Sequence, residues 1–173
     1  GRPYGVFTPY MRAWLSRLGE FAPSQHAAIL KSQALAARPA SYALPLPSLK
    51  DLGFESTNLH VLGIQPGSSG GSAVLADFWE RMDHYEEWRN YPSVKGPSYL
   101  SVHLRFGTVS IRQLVGLALQ RKLAGSAGAA VWLAELVWRD FYFQVLANFP
   151  HVVDSAFKPE YDRIVWEQGA HAQ

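Results

Sequence analysis

Residues 127–148 read AGAAVWLAELVWRDFYFQVLAN, and this stretch carries the prediction of the fold. Apolar side chains point in nearly every direction around a helix of this sequence, which is typical of a helix buried in a core. One stripe at helical spacing breaks the pattern with polar and aromatic residues: Glu135, Trp138, Arg139 and Tyr142. We expect this stripe to line a cavity that binds something flat and polar. The alternative is a surface ion pair between Glu135 and Arg139, with the aromatic residues in the core.

Three further segments are predicted to be helical from their apolar spacing and end signals: residues 6–18, 74–90 and 111–123. The last of these follows the capping box Ser110-Ile-Arg-Gln113, and the first is predicted to use Thr8 as its N-cap. No segment of useful length alternates polar and apolar residues. A mainly α fold is therefore predicted.

The lead-in before residue 74 is predicted to be long and mostly irregular. Residues 24–38 favour a helix only weakly, and the three prolines between residues 38 and 47 disfavour both helix and strand. Residues 66–72 read PGSSGGS, which by composition predicts a flexible loop.

The composition excludes several classes of protein. Hydrophobic residues make up 48% and charged residues 17%, which is not the composition of a disordered tail. We expect no transmembrane helix and no signal peptide, because no suitable apolar run is present. The absence of cysteine excludes thiolate metal sites and fits a cytoplasmic location. The six histidines lack metal-ligand spacing, and the net charge of +2 does not by itself indicate a nucleic-acid partner.

Two other clusters contain residues that could take part in binding or catalysis. Ser98-Tyr-Leu-Ser101 follows a Gly-Pro turn and precedes a helical stretch, where hydroxyl and backbone N–H groups can hold a phosphate. An ordinary helix cap is the alternative for these serines. Tyr85-Glu-Glu-Trp-Arg89 is either part of a site or a solvated charged face whose aromatic residues pack inward.

Four ordered blocks of sequence go further than these patterns: GRPYGVFTPYMRAWLSRL (1–18), GPSYLSVHLRFGTVSIRQ (96–113), WLAELVWRDFYF (132–143) and FPHVVDSAFKPEYDRIVWE (149–167). They resemble the DNA photolyase/cryptochrome family. The resemblance implies an N-terminal α/β antenna domain and a C-terminal all-α domain that buries FAD. It assigns residues 1–20 to the end of the antenna domain, 21–75 to the interdomain linker and 76–173 to the first half of the helical domain. We therefore expect a truncated piece of a longer protein.

The resemblance also implies roles for individual residues. It implies that FAD is contacted by Tyr85, Ser98, Leu100, Ser101 and Trp132. DNA contacts are implied for Arg89, Trp138, Arg139 and Tyr142, with the flipped-out dimer stacked on the tryptophan. Glu135 matches the carboxyl group that hydrogen-bonds the damaged bases, a role for which burial would favour the protonated form. Trp166 matches the outer tryptophan of an electron-transfer chain. Pro97 and Tyr99 stand where threonine and arginine are common, so one hydroxyl and one charge are lost.

The function implied by the resemblance is light-driven repair of cyclobutane pyrimidine dimers by electron transfer from reduced FAD. The expected partner is ultraviolet-damaged DNA, with no membrane partner and a monomeric full-length protein. A second chromophore is expected in the antenna domain. A cryptochrome-type blue-light receptor is the alternative of the same fold, and a helical binding module without enzymatic activity is the alternative of another class.

Overall fold

A computed structural model describes residues 2–18, 36–58 and 61–170. The α-helices in these ranges are α1 (Phe7–Leu18), α2 (Gly67–Arg81), α3 (Tyr85–Trp88), α4 (Ser101–Arg105), α5 (Ile111–Leu123) and α6 (Ala127–Asn148). Short 3₁₀ helices span Ala40–Tyr42, Met82–His84, Pro150–Val153 and Pro159–Arg163. None of the described residues lies in a strand, which confirms the prediction of a mainly α fold.

The core forms around α6, which packs against α1, α3 and α5. Trp132, Leu133 and Leu136 of this helix are buried, and they join Phe78 of α2 and Leu114 of α5 in one apolar cluster. Burial of this kind is the main favourable term in folding. The prediction that residues 127–148 form a buried helix is confirmed over its inner face, whereas its C-terminal half also has exposed aromatic and aliphatic side chains.

Side-chain caps fix the N-terminal ends of α5 and α6, and that of α5 is the cap predicted from the capping box. Ser110 accepts a hydrogen bond from the backbone N–H of Gln113 at 3.4 Å, and Ser126 accepts one from that of Ala129 at 3.1 Å. Each cap satisfies a donor that the first turn of a helix leaves without an intrahelical partner. Each cap thus marks the residue at which its helix begins.

The cap predicted for the first helix is wrong. The helix α1 begins at Phe7, so Thr8 lies inside its first turn rather than before it. Trp14, Leu15 and Leu18 pack against the core cluster. These apolar contacts, together with those to α6, tie the helix to the rest of the molecule.

The prediction of a flexible loop at residues 66–72 is also wrong, because α2 begins at Gly67. Tertiary packing explains the difference. A Cβ atom added to Gly71 would lie 2.6 Å from Val109 Cγ1 and 3.2 Å from His103 Nδ1. The helix can approach its neighbours only where side chains are absent, so a composition that is typical of a linker forms the first turns of a packed helix.

The helix predicted over residues 74–90 is interrupted. The chain leaves α2 after Arg81, passes through the 3₁₀ turn Met82–His84 and resumes in α3. Gly128 of α6 lies against this turn, where an added Cβ atom would be 2.5 Å from the carbonyl oxygen of Asp83. The backbone of α6 is therefore in direct contact with the backbone of this turn.

Residues 36–58 are largely exposed and irregular, as the prolines predict. Most of the weakly helical segment at 24–38, together with His26, His60 and His171, lies outside the described residues. Among the described helices, none combines the length and apolar character needed to cross a membrane. No cluster of three or more potential metal ligands occurs in the described part of the chain.

Acid should weaken the ion pairs that connect these helices. Hydrogen bonding from Arg121 lowers the pKa of Asp83, and hydrogen bonding from Lys95 lowers that of Asp77. Because both values are below those of the unfolded chain, about 3.9, the pairs stabilise the fold fully above that pH. Their contribution is lost as the pH falls below it.

We expect the free energy of unfolding, measured with urea, to fall as the pH is lowered from about 5 to about 3. The Asp83→Asn variant should show a smaller fall, since this pair is already broken. An equal fall in the variant and the original protein would contradict this assignment.

Candidate functional site

Three of the predicted site residues form one cluster between α3 and α6. Arg89 Nη1 donates a hydrogen bond to Glu135 Oε1 at 2.5 Å, and the Arg89 guanidinium lies 5.3 Å from the centre of the Tyr85 ring. Hydrogen bonding to Glu135 raises the pKa of Arg89. The two charged side chains are 34% and 36% exposed, so the pair lies at a surface that is open to a ligand.

The alternative ion pair between Glu135 and Arg139 does not occur. Arg139 instead donates through Nη2 to the carbonyl oxygen of Leu104 at 3.4 Å, and its guanidinium lies 4.6 Å from the centre of the Phe143 ring. The Glu135 carboxyl group is partly exposed and accepts its hydrogen bond from the Arg89 guanidinium, a charge-assisted contact.

Trp138 stacks against two aromatic rings. Phe7 of α1 stacks on it with ring centres 3.5 Å apart and an interplanar angle of 7°, and Tyr142 stacks at 5.5 Å and 25°. Trp138 and Tyr142 line a cavity of about 690 Å³, together with Phe7, Thr8 and Lys158. The expectation that the stripe lines a cavity is therefore met by its aromatic residues. Glu135 and Arg139 do not border this space.

The turn that contains Ser98 and Ser101 has an open, polar side. Ser98 Oγ accepts a hydrogen bond from the Leu100 amide at 3.4 Å, and Ser101 is exposed as the first residue of α4. Ser101 borders a second cavity, of about 590 Å³, together with Lys95 and Asp77, which pair with each other at 2.8 Å. The hydroxyls of Ser98 and Ser101 are donors for phosphate oxygens, so they fit the FAD phosphates that the resemblance implies.

The other predicted cofactor residues surround Phe78. Its ring centre is 4.8 Å from that of Trp132 and 5.7 Å from that of Tyr85, the latter in an edge-to-face arrangement. Trp132 and Leu100 are almost fully buried, and burial raises the pKa of Tyr85. Trp132 and Leu100 thus belong to the apolar core cluster, and Tyr85 packs against it.

Trp166 is not brought to either cluster. It follows the last 3₁₀ turn and is 72% exposed, without an aromatic partner among the described residues. By contrast, Trp14 and Trp79 pack against the core cluster, and Trp88 stacks on His84.

Two residues of the site region were not singled out from the sequence. Phe7 covers a face of Trp138, and Arg81 contacts the turn that leads to Ser98. The sequence did contain a signal for Arg81, because Arg81 follows Asp77 by four residues, and the two side chains pair across one turn of α2. The stack of Phe7 joins segments far apart in sequence, so no local pattern could predict it.

Residues 132–173 match the family model described as the FAD binding domain of DNA photolyase. A deoxyribodipyrimidine photo-lyase of Synechococcus sp. is 31% identical over 96% of this chain and 36% of its own length. Those of Halobacterium salinarum and Escherichia coli are each 33% identical, over 96% and 98% of this chain and over 35% and 36% of their own lengths. The chain therefore spans about a third of the length of these curated relatives.

The described residues are helical, as the all-α FAD binding domain of the matched family model is. The chain is similar in sequence to the DNA photolyase family over most of its length. The resemblance drawn from the four sequence blocks is thereby confirmed.

The pair between Arg89 and Glu135 should contribute little to stability. Because both side chains are about a third exposed, we expect a coupling energy below about 1 kcal/mol in a double-mutant cycle. The cycle would compare Arg89→Ala, Glu135→Ala and the double variant by urea denaturation. A coupling well above this value would show that the pair is mainly structural.

Proposed function

We propose that the complete protein is a deoxyribodipyrimidine photo-lyase, which uses light to split cyclobutane pyrimidine dimers in DNA. The observation that carries the proposal is the arrangement of Glu135, Trp138 and Arg139 on one helix, with the tryptophan beside a cavity of about 690 Å³. Cavities of about 300–1,000 Å³ are typical of small-molecule sites. The photo-lyase names of the relatives support the same activity.

FAD is the proposed cofactor. When bound and reduced, it supplies the electron that light transfers to the dimer. In this chain, the hydroxyls of Ser98 and Ser101 and the amide of Leu100 would hold its phosphates, and Tyr85 and Trp132 would contact the rest of the cofactor. Trp166 is proposed to belong to the electron path that reduces the flavin, since an exposed tryptophan can exchange electrons with donors in solution.

The substrate is proposed to bind along the stripe of α6. Trp138 would stack on a flipped-out base, a contact worth about 1–3 kcal/mol per base. Arg89 and Arg139 would contact the lesion or its phosphates, with Tyr142 continuing the surface. Because Arg89 is paired with Glu135, its move to a DNA phosphate would release the carboxyl group for hydrogen bonding to the damaged bases.

The domain assignment stays part of this proposal. Residues 1–20 would end an α/β antenna domain with a second chromophore, residues 21–75 would link the domains, and residues 76–173 would begin the helical domain. Since the chain spans about a third of its relatives, we expect the 173-residue chain alone neither to hold FAD tightly nor to repair DNA. The complete protein is expected to be a monomer, and the lack of cysteine suits the cytoplasm.

The test uses the full-length protein with reduced FAD and an oligonucleotide that contains one pyrimidine dimer. Blue light should restore the intact bases, and a dark sample should not. The Glu135→Ala variant should bind flavin normally but repair more slowly. Absence of repair by fully loaded protein would contradict the proposal. Equal affinity for damaged and undamaged DNA would then favour the cryptochrome-type receptor.

A further inference from the structure

Arg81, at the end of α2, contacts the turn that precedes Ser98. Its Nη1 atom donates to two backbone carbonyl oxygens, that of Lys95 at 2.5 Å and that of Gly96 at 2.9 Å. Its Nε atom donates to Asp77 Oδ2 at 3.1 Å. The side chain is only 10% exposed, so water competes little for these contacts.

The Arg81 guanidinium is also held by two rings. It lies 5.2 Å from the centre of Phe78, which belongs to the core, and 5.8 Å from that of Tyr99, which belongs to the turn. Its Nη2 atom is buried and forms an ion pair with Asp77 Oδ2 at 3.0 Å. The angle of this contact is not that of a hydrogen bond, and Nη2 makes none among the described residues. One side chain therefore joins α2, the core and the turn.

The turn itself needs such support. Tyr99 has a φ of 57°, a left-handed conformation that is unfavourable for a residue with a large side chain. At Gly96, an added Cβ atom would be 2.6 Å from the Arg89 backbone nitrogen. The turn is thus pressed against the end of α3 and held in a strained conformation, which persists only where surrounding contacts enforce it.

We propose that Arg81 is a positioning residue that fixes the turn of residues 96–101 in the conformation that binds the phosphates of FAD. This inference rests on the proposed function, because it takes Ser98 and Ser101 as the phosphate-binding residues. Arg81 does not itself contact the cofactor. It acts through the two carbonyl groups and the Tyr99 ring, which set where the serine hydroxyls and the Leu100 amide lie.

The geometry requires arginine rather than any cation. A planar guanidinium can donate to backbone carbonyls and to a carboxylate in different directions while it stacks on a ring. A lysine ammonium at the same position would keep the charge but could not make all of these contacts. The Arg81→Lys variant should therefore restore only part of what Arg81→Gln loses.

Arg121 offers a matched control. It pairs with Asp83 through Nε at 2.9 Å and Nη2 at 2.8 Å, donates through Nη1 to the carbonyl oxygen of Trp79 at 2.8 Å, and lies 4.4 Å from the Trp79 ring centre. It thus makes the same kinds of contact, to Trp79 of α2 and to Asp83 in the turn that follows α2. Its hydrogen-bond partners lie outside residues 96–101, so the Arg121→Gln variant reports the general effect of losing a helix-connecting arginine.

The experiment compares Arg81→Gln, Arg81→Lys and Arg121→Gln in the full-length protein at a temperature where all are folded. Hydrogen–deuterium exchange of the apoprotein measures the order of the turn, and flavin fluorescence measures the dissociation constant for FAD. We expect Arg81→Gln to speed exchange at residues 98–101 and to weaken FAD binding about tenfold to a hundredfold. Arg121→Gln should lower the melting temperature without either effect.

Each of the following outcomes would contradict the inference. If Arg81→Gln and Arg121→Gln change FAD affinity equally, or if the turn loosens while affinity stays the same, Arg81 is only structural and the inference is wrong. If Arg81→Gln leaves exchange at the turn unchanged, the inference is also wrong. If the original protein binds no FAD, the proposed function fails, and this inference fails with it.

Discussion

Replacement of Gly128 by alanine is expected to destabilise the fold by about 2–3 kcal/mol, although alanine is the better helix former. The added Cβ atom would be 2.5 Å from the carbonyl oxygen of Asp83 and closer still to that of Met82. Both are backbone atoms of the 3₁₀ turn between α2 and α3, so they cannot move aside as a flexible side chain can. The start of α6 would be forced away from the turn. Urea denaturation measures the change.

The control for Gly128→Ala is its exposed neighbour in the same turn of α6. The Ala127→Val variant also adds atoms at the start of the helix, but into solvent, and should change the free energy of unfolding by less than about 1 kcal/mol. If Gly128→Ala proved neutral or stabilising, the close approach of α6 to the turn Met82–His84 would be wrong.

Replacement of Trp138 by alanine is expected to weaken binding of dimer-containing DNA by about tenfold to a hundredfold, if the proposed function holds. The reason is the loss of a stacking surface whose orientation is fixed by the parallel ring of Phe7. Affinity for undamaged duplex should change little, because no base is flipped out there. Fluorescence anisotropy with both DNAs measures the difference.

A comparable tryptophan outside the stripe provides the control. Trp88 is also half-buried and stacks on an aromatic neighbour, His84, with ring centres 4.3 Å apart. The Trp88→Ala variant should have a similar effect on stability but should retain the preference for damaged DNA. The Trp138→Phe variant, which keeps an aromatic face, should recover part of the affinity. Equal losses in Trp138→Ala and Trp88→Ala would argue against a stacking role.

The helices that carry the site were predictable because their signals are local. Ser110 and Ser126 each lie three residues before the amide that they cap, and apolar spacing marks the length of each helix that follows. The stripe of Glu135, Trp138, Arg139 and Tyr142 was predictable for the same reason, since helical geometry alone places these residues on one side of α6.

The partners of those residues were not predictable in this way. Helical spacing favoured Arg139 as the partner of Glu135, whereas the fold supplies Arg89, which is 46 positions away. Likewise, Phe7 reaches Trp138 only because α1 packs on α6. Tertiary packing can therefore bring a residue from a distant segment into contact with a side chain, in place of the partner expected from helical spacing.

The amino-acid sequence by itself determined that the chain is mainly helical, where α5 and α6 begin and end, and which family its ordered blocks resemble. Each of these depends on residues close together in sequence or on their order. Only the tertiary structure decided that PGSSGGS opens a helix, that Arg81 supports the turn before Ser98, and which side chains meet at the stripe. These outcomes depend on the space and the hydrogen-bond partners that other segments leave, and such constraints arise only when the helices pack together.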